Sequence, residues 1–265
     1  MMAGLSPTAS IRSSGLANSA PGAAALAAEV AFELAIADLD VAPEVVRALA
    51  QLLAASERAR AARFLRDRDR HRFIVARARL RQLLAARLDL RPASVEFAYG
   101  AHGKPALAAG CADSNLRFNV SHCEGLAVYA FASGREVGVD VEAVRVLQDA
   151  DDIAARFFSR HEYEAYLALD PRARPLGFFN CWTRKEAFIK AIGEGLSHPL
   201  DRFDVTLAPG EPPRIVRVDG MPGERSGWTL RAFLPAPGFV AAVVVSECES
   251  GPTAGEERQW NLARA

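Results

Sequence analysis

The spacing of apolar residues changes character along the chain. Val30-Ala-Phe-Glu-Leu-Ala-Ile-Ala37 predicts a first strand, and Pro43 stands where a first helical turn accepts proline, opening a helix toward Ala55. Phe64, Phe73, Ile74, Leu80, Leu83, Leu84 and Leu88 recur at spacings near three and four, which predicts helix with one buried stripe and an arginine-rich outer face. Short β-rich runs follow at Val95–Tyr99, Leu116–Val120, Leu126–Phe131 and Val137–Glu142, separated by Gly, Asn or Ser. The second half repeats the order: helices over about Ser159–Leu169 and Leu176–Ile192, then strands near Phe203–Leu207, Arg214–Val218, Trp228–Leu234 and Val240–Ser246. Helices followed by strands, twice, predict an α+β fold of two similar halves, although the letters alone do not align the halves. The expected boundaries are a disordered segment 1–27, halves at 28–136 and 137–250, and a flexible tail at 251–265.

Composition narrows the function classes. The 32 basic and 32 acidic residues cancel, which argues against a general nucleic-acid binder, yet Ser56–Arg91 holds twelve arginines against four acids. Such a segment predicts a phosphate-bearing ligand or an acidic partner, or else the solvated face of a helix. The four cysteines lack C-x-x-C or metal-ligand spacing, so reduced thiols in a cytoplasmic protein are expected, without zinc or a disulfide framework. The N-terminal stretch lacks the basic start and apolar core of a signal peptide, and no run of eighteen apolar residues suggests a membrane span. Among 32 basic residues only Lys104, Lys185 and Lys190 are lysines, and all three stand inside short motifs. An arginine-dominated chain that keeps lysine there points to sites where a compact, rotatable ammonium matters.

Two of those motifs carry candidate chemistry. In Gly138-Val-Asp-Val-Glu142 the strand period of two puts Asp140 and Glu142 on one face and turns Val139 and Val141 into the core. Two adjacent carboxylates suit a hard divalent cation; the competing reading is a polar strand face that meets water. In Trp182-Thr-Arg-Lys-Glu-Ala-Phe-Ile-Lys190, residues Trp182, Glu186 and Lys190 fall at i, i+4 and i+8, with Lys185 beside them. That helix offers a third carboxylate between two ammonium groups, or an ordinary Glu-Lys pair on a solvated face. Gly193 or Gly195 is expected to end it.

Together the motifs resemble the G-x-D-x-E and W-x-x-K-E-A-x-x-K signatures of the phosphopantetheinyl transferase superfamily, about forty residues apart. Gly103-Lys-Pro105 and Phe118-Asn-Val-Ser-His122 extend the resemblance to its larger single-chain type, the surfactin-synthetase-activator type, over roughly Val30 to Ser246. The resemblance implies two α+β halves around a ligand cleft in a monomeric cytoplasmic enzyme. Its reaction would move 4'-phosphopantetheine from coenzyme A to a serine of an apo carrier protein, releasing adenosine 3',5'-bisphosphate. It further implies that Asp140, Glu142 and Glu186 hold Mg²⁺ (or Mn²⁺), with water at the position of Val141. Glu186 would activate the serine, and Lys190 with Lys185 would neutralise phosphate charge. Lys104, His122 and Arg72 would grip the 3'-phosphate and adenine end of coenzyme A. Pro105, Ser121 and Arg60 complete the expected binding set. Carrier specificity stays open among fatty-acid, polyketide and peptide-synthetase carriers, with the last two favoured by the single-chain type.

Other segments have plainer readings. Ser121-His122 does not form a hydrolase elbow, because neighbouring residues of a strand point apart. His161-Glu-Tyr-Glu-Ala165 lacks a second histidine for zinc and reads instead as a capping box, with Ser159 as N-cap and Glu162 at N3. By resemblance Glu162 could also face the cleft. Phe157 and Phe158 read as a core pair or a carrier anchor, and Arg145, Arg156 and Arg160 as steering or solubilising charge. The rivals to transfer are a non-catalytic coenzyme A or carrier-protein binder and a Mg²⁺-dependent phosphohydrolase.

Overall fold

Strand periodicity and helix capping account for most of the element order. The computed structural model describes residues 32–100, 103–193, 198–219 and 227–247. Expectations for residues 1–27, the tail, Gly195 and Cys248 lie outside the described residues. The first half runs β1 (Phe32–Asp38), α1 (Pro43–Ala50), α2 (Ala55–Ala61), α3 (Asp67–Leu88), β2 (Phe97–Tyr99), β3 (Pro105–Leu107), β4 (Leu116–Cys123) and β5 (Leu126–Ser133). The second runs β6 (Val137–Ala143), α4 (Ala150–Phe157), α5 (Arg160–Leu167), α6 (Arg174–Ile192), β7 (Phe203–Val205), β8 (Ile215–Val218), β9 (Trp228–Phe233) and β10 (Phe239–Ser246).

The two halves share one topology. Each builds a three-stranded antiparallel sheet in which the last strand lies between the first and the penultimate: β1-β5-β4 and β6-β10-β9. Each also carries a long helix, α3 or α6, and a two-stranded antiparallel pair, β2-β3 or β7-β8. The central strands are buried on both faces, which is why β5 and β10 read as nearly unbroken apolar runs. Ala127, Tyr129 and Phe131 of β5 pack on Val75, Ala78 and Leu84 of α3. Val128, Ala130 and Ala132 share a second layer with Val137, Val139 and Val141 of β6 and Ala241, Val243 and Val245 of β10. Ala242 and Val244 face α6 in a third. The order is helix, sheet, sheet, helix, with the two sheets meeting across an apolar interior.

Some local expectations are corrected. The first helix ends at Ala50 and a second begins at Ala55, because the intervening turn buries Leu53 and lets the Glu57 carboxylate accept from Ala54 N at 2.8 Å. Glu57 is itself buried against Arg81 at 2.7 Å, so Arg81 leaves the exposed arginine face and donates onward to the carbonyls of Pro92 and Val95. The short elements β3 and α4 are additional to the expected ones. Ser159 and Glu162 form the expected capping box at the start of α5, and Gly193 ends α6 in the left-handed conformation (φ 81°).

One glycine positions the motifs. On β6 the residues Gly138, Asp140 and Glu142 alternate away from the valine layer. A Cβ on Gly138 would stand 2.1 Å from the carbonyl oxygen of Ala187 and 2.3 Å from the amide nitrogen of Ala191. Only glycine allows α6 to lie so close on β6, and that closeness brings the helix motif onto the strand motif.

Candidate active site

The candidate site lies on the seam between the halves, where β4 runs beside β6. Three β4 side chains spaced by two cross that seam. Asn119 Oδ1 accepts from Val139 N at 2.9 Å, Ser121 Oγ donates to Asp140 Oδ1 at 2.8 Å, and Cys123 Sγ donates to Glu142 Oε2 at 3.3 Å. Burial, reinforced by the adjacent Glu142 charge, pushes the Cys123 thiol up to about 11, which keeps it protonated as a donor. From the other side, α6 delivers Lys190, whose ammonium stands 2.5 Å from Asp140 Oδ1 and 3.1 Å from Ser121 Oγ. Asp140 is buried, and among the described residues its Oδ2 has no hydrogen-bond partner. The Glu142 carboxylate also meets Arg145 at 3.5 Å.

Glu186, one turn before Lys190, completes the cluster electrostatically. Burial raises its pKa; Lys190 opposes that shift, and the charges of Asp140 and Glu142 reinforce it. A carboxylate whose proton affinity is raised by its surroundings is suited to accept a proton from an incoming nucleophile. Among the described residues, no group of three His, Cys, Asp or Glu side chains is arranged to hold a metal ion. The donor chemistry nevertheless fits a hard cation: the carboxylates of Asp140 and Glu142 both lie within electrostatic reach of Glu186, and Asp140 keeps a buried oxygen without a partner among the described residues.

The expectation for Lys185 is corrected. Five positions from Lys190, it lies about 140° around the helix and points away from the seam. Its side chain is fully buried, with Nζ 2.7 Å from Glu162 Oε2 and 2.6 Å from the carbonyls of both Leu200 and Phe203. It therefore fastens α6 to α5 and β7 and cannot serve as a second phosphate cation beside Lys190. Glu162 does not face the cleft either, for its carboxylate also accepts from the amides of Ser159 and Val205 at 2.8 and 2.7 Å. Burial raises the Glu162 pKa, opposed by Lys185 and by these hydrogen bonds. Trp182 stacks on Phe178, their centroids 6.0 Å apart, and meets Phe157 edge-on, so it joins α6 to α4.

The remaining candidates surround the seam. Lys104 is half-buried beside the end of α6, with Nζ 3.3 Å from the Ala191 carbonyl and 3.6 Å from Glu136. Burial lowers its pKa against the pull of Glu136. Lys104 and Pro105 line a cavity of about 340 Å³ together with Gly100, Phe118, Ile192 and Gly193, residues drawn from both halves. His122 keeps an exposed edge on β4, yet the protein packed around its ring partly desolvates it; that desolvation, and after it the Lys190 charge, lowers its pKa. Arg60 lies 5.2 Å over the Phe73 ring. Arg72 is already engaged: its fork holds Asp40 through two bonds of 2.6 Å, and this pairing depresses the Asp40 pKa. Sequence alone assigns no site role to Asp40, to Cys123 or to Asn119, although Asn119 stands inside the Phe118-Asn-Val-Ser-His122 motif. The period-two spacing of Asn119, Ser121 and Cys123 was a readable signal, whereas nothing local marks Asp40 as the partner of a residue thirty-two positions away.

Two family models match, and they divide the chain as its topology does. One, described as the 4'-phosphopantetheinyl transferase superfamily, matches residues 136–244; the other, the N-terminal part of 4'-phosphopantetheinyl transferases, matches residues 41–134. The 4'-phosphopantetheinyl transferase HetI of Nostoc sp. is 36% identical over 208 residues, 78% of this chain and 84% of its own length. The chain belongs to the phosphopantetheinyl transferase superfamily. Within it, the transferase Sfp of Bacillus subtilis is 31% identical over 188 residues, covering 71% of this chain and 79% of that one. The human L-aminoadipate-semialdehyde dehydrogenase-phosphopantetheinyl transferase is 30% identical over 161 residues, 58% of this chain and 52% of the relative. No described helix is long and apolar enough to cross a membrane.

Proposed function

We propose that this superfamily member transfers 4'-phosphopantetheine from coenzyme A to a serine hydroxyl of an apo carrier protein and releases adenosine 3',5'-bisphosphate. The observation that supports it most directly is the meeting of Asp140, Glu186 and Lys190 on one seam, joining two motifs that lie far apart in the chain. In this reaction the serine oxygen attacks the phosphorus next to pantetheine. The bond from that phosphorus to the bridging oxygen breaks, and the serine proton passes to Glu186, directly or through water. Lys190 neutralises the charge that grows on the departing phosphate. Asp140, Glu142 and Glu186 are the residues that would hold Mg²⁺, which when bound screens the charge of the pyrophosphate.

The nucleotide end of coenzyme A is assigned to the Lys104-Pro105 cavity, with His122 and Arg60 toward the 3'-phosphate. Arg72 contributes there only through the outer edge of a guanidinium that Asp40 already holds. Ser121 acts through Asp140 and Lys190. A cytoplasmic, monomeric enzyme that serves polyketide or peptide-synthetase carriers completes the reading. Incubation with an apo carrier protein, coenzyme A and Mg²⁺, followed by intact-mass analysis, tests it. A gain of one phosphopantetheinyl group on the carrier is expected. An unmodified carrier with intact coenzyme A would support a binder, and coenzyme A consumed without carrier modification would support a hydrolase.

A further inference from the structure

Asp140 already carries a cation. Lys190 Nζ lies 2.5 Å from its Oδ1, and the Ser121 hydroxyl accepts from that ammonium at 3.1 Å while donating to the same oxygen at 2.8 Å. Both donors converge on Oδ1, so among the described residues Oδ2 is left buried without a partner. The Asp140 side chain is 6% exposed and that of Lys190 is 28% exposed. A carboxylate this buried, with the charges of Glu142 and Glu186 nearby, requires a compensating positive charge, and Lys190 supplies it. A divalent cation held by the same carboxylates would supply the same compensation. Two positive groups on one carboxylate repel each other in a poorly solvated site.

We propose that Lys190 and the divalent cation compete for Asp140, with Ser121 holding the ammonium in place. The cation then binds tightly only when a pyrophosphate group offers Lys190 another anion. This rests on the transferase reading above and adds to it a coupling between donor binding and metal binding. The coupling is reciprocal, so each ligand tightens the other by the same factor. It also gives a reason for lysine at this position. An arginine fork could hold both carboxylate oxygens at once, closing Oδ2 to any metal, whereas an ammonium on a flexible stem makes one contact and can leave.

Calorimetric titration of Mn²⁺ as the probe, into the full chain with and without coenzyme A and with no carrier present, tests the competition. Without coenzyme A, Lys190→Met should bind Mn²⁺ about tenfold or more tightly than wild type, although it loses turnover. Ser121→Ala should move in the same direction by less. Coenzyme A should then tighten Mn²⁺ binding more in wild type than in Lys190→Met. Equal or weaker Mn²⁺ binding by Lys190→Met, with wild type still binding Mn²⁺ when coenzyme A is present, overturns the competition and leaves the transferase reading intact. Failure of wild type to bind Mn²⁺ even with coenzyme A overturns both the metal assignment and the competition. An unmodified carrier in the mass assay, beside tighter Mn²⁺ binding in the variant, would overturn transfer while upholding the competition. Should Lys190→Met fail to fold by circular dichroism, Lys190→Gln carries the same expectation.

Discussion

Lys185 and Lys190 stand on one helix, within one motif, and the protein uses them in opposite ways. Around Lys185 every donor direction is filled: a carboxylate and two carbonyls enclose a fully buried ammonium. Around Lys190 the environment is incomplete, because among the described residues its carboxylate partner keeps a buried oxygen unpaired and the ammonium remains partly exposed. A closed polar network favours a single arrangement and rigidity. An open one leaves a charge free to change partners, which is what phosphate chemistry requires. The contrast separates the side of α6 that holds the second half together from the side that faces the first half across the seam.

The contrast can be broken most decisively at the seam. Glu186→Gln should reduce turnover by about 10²- to 10⁴-fold while leaving thermal stability close to wild type, and Lys190→Arg should likewise keep the fold but lose most turnover. Steady-state transfer assays beside melting curves check both; activity of Lys190→Arg within about twofold of wild type would remove the case for an ammonium. On the closed side, Lys185→Met should cost about 3–5 kcal/mol of stability by leaving Glu162 buried without its cation. Turnover per folded molecule should be retained, and denaturant unfolding together with active-site titration would show whether it is. A specific loss of turnover with unchanged stability would reverse the roles given to the two lysines.

Smaller effects sharpen the boundary between the sides. Gly138→Ala should cost about 1–3 kcal/mol through overpacking, and it should also lower turnover, because α6 must move off β6 and carry Glu186 and Lys190 away from Asp140. Unfolding curves and transfer rates on the same preparation test whether the two losses travel together. The smallest effect is a titration. In metal-free protein the Glu186 carboxyl should ionise above the usual carboxylate range, since burial and the neighbouring carboxylates favour its protonated form. Glu142→Gln should bring that pKa down and Lys190→Met should take it up. By linkage, a raised folded pKa contributes stability that is present below the unfolded value and lost as pH rises through the folded one. The stability of wild type relative to Glu186→Gln should therefore fall modestly as pH rises, and carboxyl NMR titration gives the pKa directly.

The elements were legible wherever period and capping agree. The strand face of Asp140 and Glu142, the Ser159 and Glu162 capping box and the glycine stop of α6 all follow from contacts within a few residues. The break between α1 and α2 was not legible, because it depends on Glu57 reaching Arg81, twenty-four positions away. The shared strand order of the two halves was hidden for the same reason. It resides in pairings such as β1 with β5, which span most of a half and leave no common letters.

For the site, the amino-acid sequence by itself determined which groups share a turn or a strand face. Glu186 and Lys190 at i, i+4 and Asp140 and Glu142 at period two are consequences of helix and strand geometry alone. Which lysine would be buried was decided only by the tertiary structure. Local geometry separates Lys185 from Lys190 by an angle, yet both are lysines, and only the elements packed on each side supply different partners. Glu162 and two carbonyls make burial of one ammonium tolerable, while Asp140 and Ser121, brought close by the bare backbone of Gly138, leave the other poised at an open carboxylate.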